Sequence, residues 1–183
     1  MGFNNSAPYM NCSAQSNGRA LAGCVAIAGA QVMNYFKYPA TYDYNLMHNT
    51  LGSSEASRMI RDIGSAVDMD YGCGVSSAVT KDLAKVFKNN FSYSSATYDD
   101  FNVNTVVNEL KWSYPVILRG ESSSDGHAWV CDGYIYHVNP CGANLLWLHM
   151  NWGWGVNTAN GYYGIGDNGG FNKNNKMIYN IRK

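Results

Sequence analysis

Cys24 is the side chain in this sequence best suited to act as a nucleophile. It opens the run CVAIAGAQVMNYF, directly after Gly23 and the small-residue lead-in Ala20-Leu21-Ala22. At the start of a helix, the macrodipole and the unsatisfied backbone N–H groups stabilise a thiolate and lower a thiol's pKa from about 8.5 towards neutrality. A glycine before the sulfur would let a substrate backbone approach it closely. The competing reading is a small hydrophobe packed inside a buried helix.

A nucleophilic thiol needs a base, and the sequence offers His48, His127, His137 and His149. His127 fits best, because it lies behind Gly126 at the start of the apolar run HAWVCDGY, where an imidazole can stand at a sheet edge. His48 falls in a polar loop, and His137 and His149 read as hydrogen-bonded residues within strands. A base also needs a group that fixes its tautomer. Asn151 in HMNWGWG is the candidate, with Trp152 beside it to shield that hydrogen bond from water.

The elements that must position these groups change character along the chain. The first 20 residues, rich in Asn, Ser and Gly, suit an irregular arm. A mostly buried helix follows over residues 24–36, with Val25, Ala28, Val32 and Tyr35 at helical spacing; it must end before Tyr38-Pro39. Residues 55–66, 77–90 and 103–112 carry amphipathic patterns, the first placing Met59, Ile60 and Ile63 opposite Arg58, Arg61 and Asp62. After Pro115 the runs VILRG, HAWVCDGY, IYHVN, LLWLHMNW and GYYGIG read as short strands of an antiparallel sheet. Helices first and strands second predict an α+β fold rather than alternating βαβ units.

Composition narrows the function classes. The 183 residues suit one domain, and with 46% apolar and 14% charged residues the chain is expected to fold around a real core. Thirteen basic and thirteen acidic side chains give zero net charge, which argues against a nucleic-acid or anionic-membrane partner. No apolar run reaches the ~20 residues of a membrane span. The opening MGFNNSAPYMN has no signal-peptide pattern, so a leader or pro-segment would lie upstream. Five cysteines, at 12, 24, 73, 131 and 141, leave one thiol over whatever the pairing, and the spacing does not choose among Cys12, Cys73, Cys131 and Cys141.

The order Cys, His, Asn is that of papain-like peptidases, although the CGSCW-type signature is absent. The segments AGCVAIAGAQVMNYFKYP, VDMDYG, GHAWVCDGY, NWGWG and GGFN, in this order over nearly the whole chain, resemble the streptopain family of bacterial cysteine peptidases, family C10. The resemblance implies a single papain-like peptidase domain over residues 1–183. Its helical half, about 1–113, would carry the cysteine on a buried central helix, and its antiparallel sheet half would cover about 114–183. It further implies Cys24 as nucleophile, His127 as general base and acid, Asn151 and Trp152 as its supports, and Trp154 in the wall of the substrate cleft. The family's oxyanion glutamine falls on Asn5, and Gln15, nine residues before Cys24, is the other candidate amide. Gly126 and the Gly74-Val75-Ser76-Ser77 loop would line the cleft, although turn chemistry explains that loop equally well. The loop reads Trp154-Gly155-Val156 where the family usually has a second glycine, and the stretch from His127 to Asn151 is longer than usual.

The implied partner is a protein or peptide with an apolar residue two positions before the cut bond, with a propeptide or protein inhibitor as a further candidate. The implied location is secreted, periplasmic or cell-surface, and the chemistry needs no metal or organic cofactor. Rival readings exist. His127, Cys131, His137 and Cys141 form an H-x3-C-x5-H-x3-C pattern of zinc-type ligands, but residues four apart on a strand stand ~13 Å apart. Fourteen Tyr and five Trp would suit a binding protein, for carbohydrate among other ligands, and Asn5 in place of the family's glutamine leaves open a peptidase fold without activity. Asp68 and Asp70 in VDMDYG form a carboxylate pair of the glycosidase kind, or a solvated edge beside a turn.

Overall fold

The computed structural model describes residues 3–47, 52–140, 142–155 and 159–183. His48, Cys141 and Val156, named above, lie outside the described residues. The chain divides into two units, Met1–Ser95 with Lys183, and Ala96–Arg182.

The first unit is helical. Strands β1 (Tyr9–Cys12) and β2 (Gly18–Arg19) pair antiparallel, so the expected irregular arm contains a small hairpin. Helix α1 (Cys24–Phe36) follows, then α2 (Ser54–Ala66) and α3 (Thr80–Phe91). The buried face of α1 carries Val25, Ala28, Val32 and Met33, whereas Tyr35, expected on the same stripe, is exposed near the helix end. A β-carbon at Gly29 would meet Leu83 at 3.1 Å and Ile63 at 3.4 Å, so a glycine there lets α2 and α3 press close to α1. Lys37, in the left-handed conformation at φ 50°, ends α1 one residue before Tyr38-Pro39. Helix α3 begins at residue 80 rather than 77, because Ser76 and Ser77 are held in a loop whose backbone bridges Asp70 to Ser77. A disulfide joins Cys12 at the end of β1 to Cys73 in that loop, while Cys24 and Cys131 remain thiols.

The second unit is a sheet with one helix. Strands β3 (Ser95–Asp100), β4 (Val116–Glu121), β5 (Gly126–His137), β6 (Leu145–Asn151), β7 (Gly161–Gly164) and β8 (Lys173–Arg182) form a sheet ordered β3-β8-β4-β5-β6-β7. HAWVCDGY and IYHVN, expected as separate runs, are one strand, β5, with a bulge between Cys131 and Gly133. Strands β3 and β8 escape the alternation pattern. β8 is mostly polar, and Asn174 and Asn180 take positive φ within it, yet it buries Met177, Ile178 and Ile181. Helix α4 (Val103–Lys111) is capped by Asn102, whose side-chain oxygen accepts from the Thr105 N–H at 3.1 Å. Val106 of α4 lies in one buried cluster with Leu118, Trp129, Cys131, Met150 and Trp152, so α4 packs on the sheet. Helix α4 therefore belongs to the second unit, with the strands that follow it.

The disulfide spans 61 residues of the helical unit, so opening it releases about 2–4 kcal/mol of constraint on the unfolded chain. Cys12→Ser with Cys73→Ser is expected to lower the urea unfolding midpoint accordingly; an unchanged midpoint would contradict a structural role for this bridge.

Candidate active site

Cys24 is the first residue of α1 and is half-buried. No side chain caps the helix start. Gly23 stands before it at φ 82°, a conformation that favours glycine, and a β-carbon there would lie 2.6 Å from the Met69 side chain. The groups nearest Gly23 are thus Met69 and the Ser76 carbonyl, both from the segment that follows α2.

That segment is fastened just upstream of Cys24. The Leu21 N–H donates to the Gly72 carbonyl at 3.1 Å, and the Ser76 hydroxyl donates to the Leu21 carbonyl at 2.8 Å while accepting from the Gly72 N–H at 3.0 Å. Ser76 is buried and acts as a latch, whereas Val75 beside it is 68% exposed. Asn5 and Gln15 lie in the same unit. The Asn5 side-chain oxygen accepts from Asn17 Nδ2 at 2.9 Å, an anchor that sequence reading did not find. Gln15 sits in the β1–β2 turn, its N–H donating to the Cys12 carbonyl at 3.0 Å and its carbonyl accepting from Gly18 at 2.9 Å.

His127 belongs to the sheet unit, second residue of β5, opposite Gly120 of β4. Its ring is buried, and Nε2 lies 2.9 Å from the backbone carbonyl of Trp152. A carbonyl only accepts, so Nε2 carries the proton and Nδ1 is the nitrogen left for proton exchange. Rings surround the imidazole: Trp154 at 5.0 Å between centroids, Phe171 at 5.3 Å, Trp152 at 5.9 Å and Trp129 at 6.1 Å. Burial pushes the His127 pKa below its ordinary value, and the Trp152 carbonyl partly offsets this.

Trp152 is fixed from three sides. Its N–H donates to Asn160 Oδ1 at 2.9 Å, its indole Nε1–H to the Ala159 carbonyl at 3.1 Å, and Gly169 leaves room for its ring. The Asn151 side-chain oxygen accepts from the Gly153 N–H and from Asn160 Nδ2, each at 3.3 Å. Trp154 is half-exposed, and Gly126 is exposed with only ordinary contact distance to the Gly120 carbonyl. Trp129, Phe171 and Asn160 were not singled out by sequence. Trp129 was legible in principle, two positions along a strand from His127 and so on its face.

The other chemistry-bearing residues lie elsewhere. His149 Nδ1 meets Asp132 Oδ1 at 2.5 Å, and His137 is at the exposed end of β5. Burial pushes the Cys131 thiol pKa far up, which keeps it an unreactive thiol. Asp68, at φ 51°, is in the turn after α2, and Asp70 bridges to Ser77, with buried Met69 between them.

The sequence pattern described as the peptidase C10 family matches residues 3–52 and 40–163. Streptopain of Streptococcus pyogenes is 28% identical over 219 residues, covering 89% of this chain and 53% of streptopain. The thiol protease/hemagglutinin PrtT of Porphyromonas gingivalis is 26% identical, covering 91% of this chain and 24% of PrtT. Among solved structures, a prointerpain A fragment of Prevotella intermedia aligns with TM-score 0.77 and 26% identity over 99% of this chain and 68% of that one. The chain thus spans about half the length of the streptopains and about a quarter of PrtT.

Because burial disfavours the charged ring, the unfolded chain takes up a proton at His127 first as the pH falls. Stability is therefore full above the ordinary pKa of 6.5 and declines as the pH drops from there through the lower native value. In Cys24→Ala protein, which removes the thiol from the titration, the His127 ring resonances are expected to titrate below 6.5. A midpoint at or above that value would contradict this account of the site.

Proposed function

This chain belongs to the peptidase C10 family, and we propose on that basis that it is a cysteine endopeptidase with Cys24 as nucleophile and His127 as general base and acid. The observation that carries the reading is the fixed tautomer of His127, with Nε2–H bound to the Trp152 carbonyl and Nδ1 left to exchange a proton. The second support is a thiol at the first position of a helix that no side chain caps, where backbone N–H groups and the macrodipole favour an anion.

In this reading the proton moves from the Cys24 thiol to His127 Nδ1, so the imidazolium is charged only opposite a thiolate. That resolves the tension between a ring whose burial disfavours charge and a mechanism that uses its charged form. The thiolate attacks the peptide carbonyl, and the tetrahedral oxyanion accepts from the Cys24 backbone N–H and a side-chain amide. Asn5 is the better supported amide, because Asn17 holds its oxygen and so orients its NH2 group; Gln15 is the alternative. His127 protonates the leaving amine, and water then releases the acyl group from the sulfur.

Trp152 contributes its carbonyl and excludes water from that hydrogen bond, Asn151 braces the loop through Gly153 and Asn160, and half-exposed Trp154 offers an apolar wall for substrate. Gly126, exposed Val75 and the loop backbone beside Ser76 complete the proposed binding surface. The substrate is an extended protein segment with an apolar residue two positions before the cut, and no metal or cofactor enters the chemistry. A propeptide or protein inhibitor would occupy the same surface. The Cys12–Cys73 disulfide fits an oxidising, secreted or cell-surface setting, and among the described residues no helix is long and apolar enough to cross a membrane.

Cys24→Ala is expected to reduce casein hydrolysis by at least about 10³-fold and to leave the thermal midpoint nearly unchanged. Retained hydrolysis would contradict the assignment of the nucleophile. No hydrolysis by the unaltered protein towards any protein substrate would point instead to a fold that only binds.

A further inference from the structure

The segment GDNGGFNKNN, residues 166–175, is built around one aromatic side chain. Asn168, buried in the turn, accepts through its carbonyl from the Phe171 N–H at 2.9 Å, and its own N–H donates to Asn172 Oδ1 at 2.8 Å. Asn175 Nδ2 donates to the Phe171 carbonyl at 2.8 Å. Gly169, at φ 57°, leaves room for Trp152, whose ring would stand 2.9 Å from a β-carbon placed there. The Phe171 carbonyl and the Asn175 amide fill the space that a side chain at Gly120 would need, and Gly120 is the register partner of His127. A set of amides and glycines thus fixes Phe171 beside the strand position of the imidazole, with ring centroids 5.3 Å apart.

Phe171 also contacts the rest of the ring cluster, at 6.1 Å from Trp129 and 6.0 Å from Trp152. Aromatic pairs at such spacings prefer defined orientations, so a ring in this place limits how the imidazole can tilt. A hydrogen bond through Nε2 alone leaves the imidazole free to rotate about that contact, which would carry Nδ1 off its line of proton transfer.

We propose that Phe171 is a positioning residue for His127, and that the Asn168–Asn175 turn is a clamp that sets its ring against the imidazole. The clamp rests on His127 being the base described above, but its effect on the ring is measurable without turnover. The charged groups on the adjoining elements are Arg119 and Glu121, which flank Gly120 and pair with each other, together with Asp125, Asp132, Asp167, Lys173, Lys176 and Arg182. None of these is altered in the variants that test the clamp.

Phe171→Leu keeps apolar bulk and removes the ring, Phe171→Tyr restores a ring, and Asn175→Ala keeps the ring but frees its anchor. With a fluorogenic peptide, Phe171→Leu and Asn175→Ala are expected to lower kcat about tenfold or more with KM changed by less than about twofold, and Phe171→Tyr to stay within about threefold of the parent. In the Cys24→Ala background, the His127 ring resonances should shift and their titration midpoint should rise in Phe171→Leu, and both should return in Phe171→Tyr. A rise in KM with kcat unchanged would make Phe171 part of the substrate wall and overturn the clamp. Ring resonances and midpoint that do not move in Phe171→Leu would overturn it as well, whether or not the protein cleaves peptides. An unaltered protein that cleaves nothing would sink the peptidase reading, while these ring measurements would still decide the clamp.

Discussion

The arrangement of the sheet unit depends on one buried hydrogen bond, from His127 Nε2 to the carbonyl of Trp152. A buried polar ring left without a partner costs about 1–3 kcal/mol, so burying His127 requires that carbonyl to be held in place. Much of the local sequence serves this end. Asn160 and the Ala159 carbonyl fix Trp152, Gly169 makes room for it, and the β5–β6 pairing of Val130 with Asn151 brings its strand alongside. The surrounding rings then exclude water, which strengthens the same bond while making the charged imidazole harder to form without a counter-charge.

The helical unit places a thiol at a helix start whose N–H groups the preceding residue, Gly23, has no side chain to cap. A serine or aspartate at position 23 would claim them, and the φ of 82° there excludes both without strain. What packs against Gly23 is the chain itself, through Met69 and the Ser76 carbonyl. The 70–77 loop is held by the Ser76 latch and tied to β1 by the disulfide, so the wall beside Cys24 is set by covalent and hydrogen-bonded constraints rather than by a core of its own.

The elements that carry Cys24 and His127 were legible because their signals are strong and local. The proline-free apolar periodicity from Cys24 gives α1, and five motifs in family order point to the peptidase. What escaped has a common physical cause. β3 and β8 are polar strands whose membership in a sheet is decided by tertiary pairing, and the Cys12–Cys73 pairing joins residues 61 positions apart. Period-two reading places Trp129 on the His127 face, yet Phe171 reaches the same ring from 44 positions on, through a turn of asparagines and glycines that carries no periodic signal. Ser76 shows the reverse case, because a residue expected to face substrate donates its hydroxyl to the Leu21 carbonyl and accepts from the Gly72 N–H.

In the proposed chemistry Cys24 and His127 share one proton. The rate at which iodoacetamide alkylates each cysteine, mapped by digestion between about pH 4 and 9 in unaltered protein and in His127→Gln, tests this most directly. Fast, selective modification of Cys24 is expected at pH 6 and should be lost in His127→Gln, where reaction should appear only near the pKa of an ordinary thiol, about 8.5. Slow, uniform labelling of accessible thiols at pH 6, or a Cys24 profile that the histidine substitution leaves in place, would contradict it.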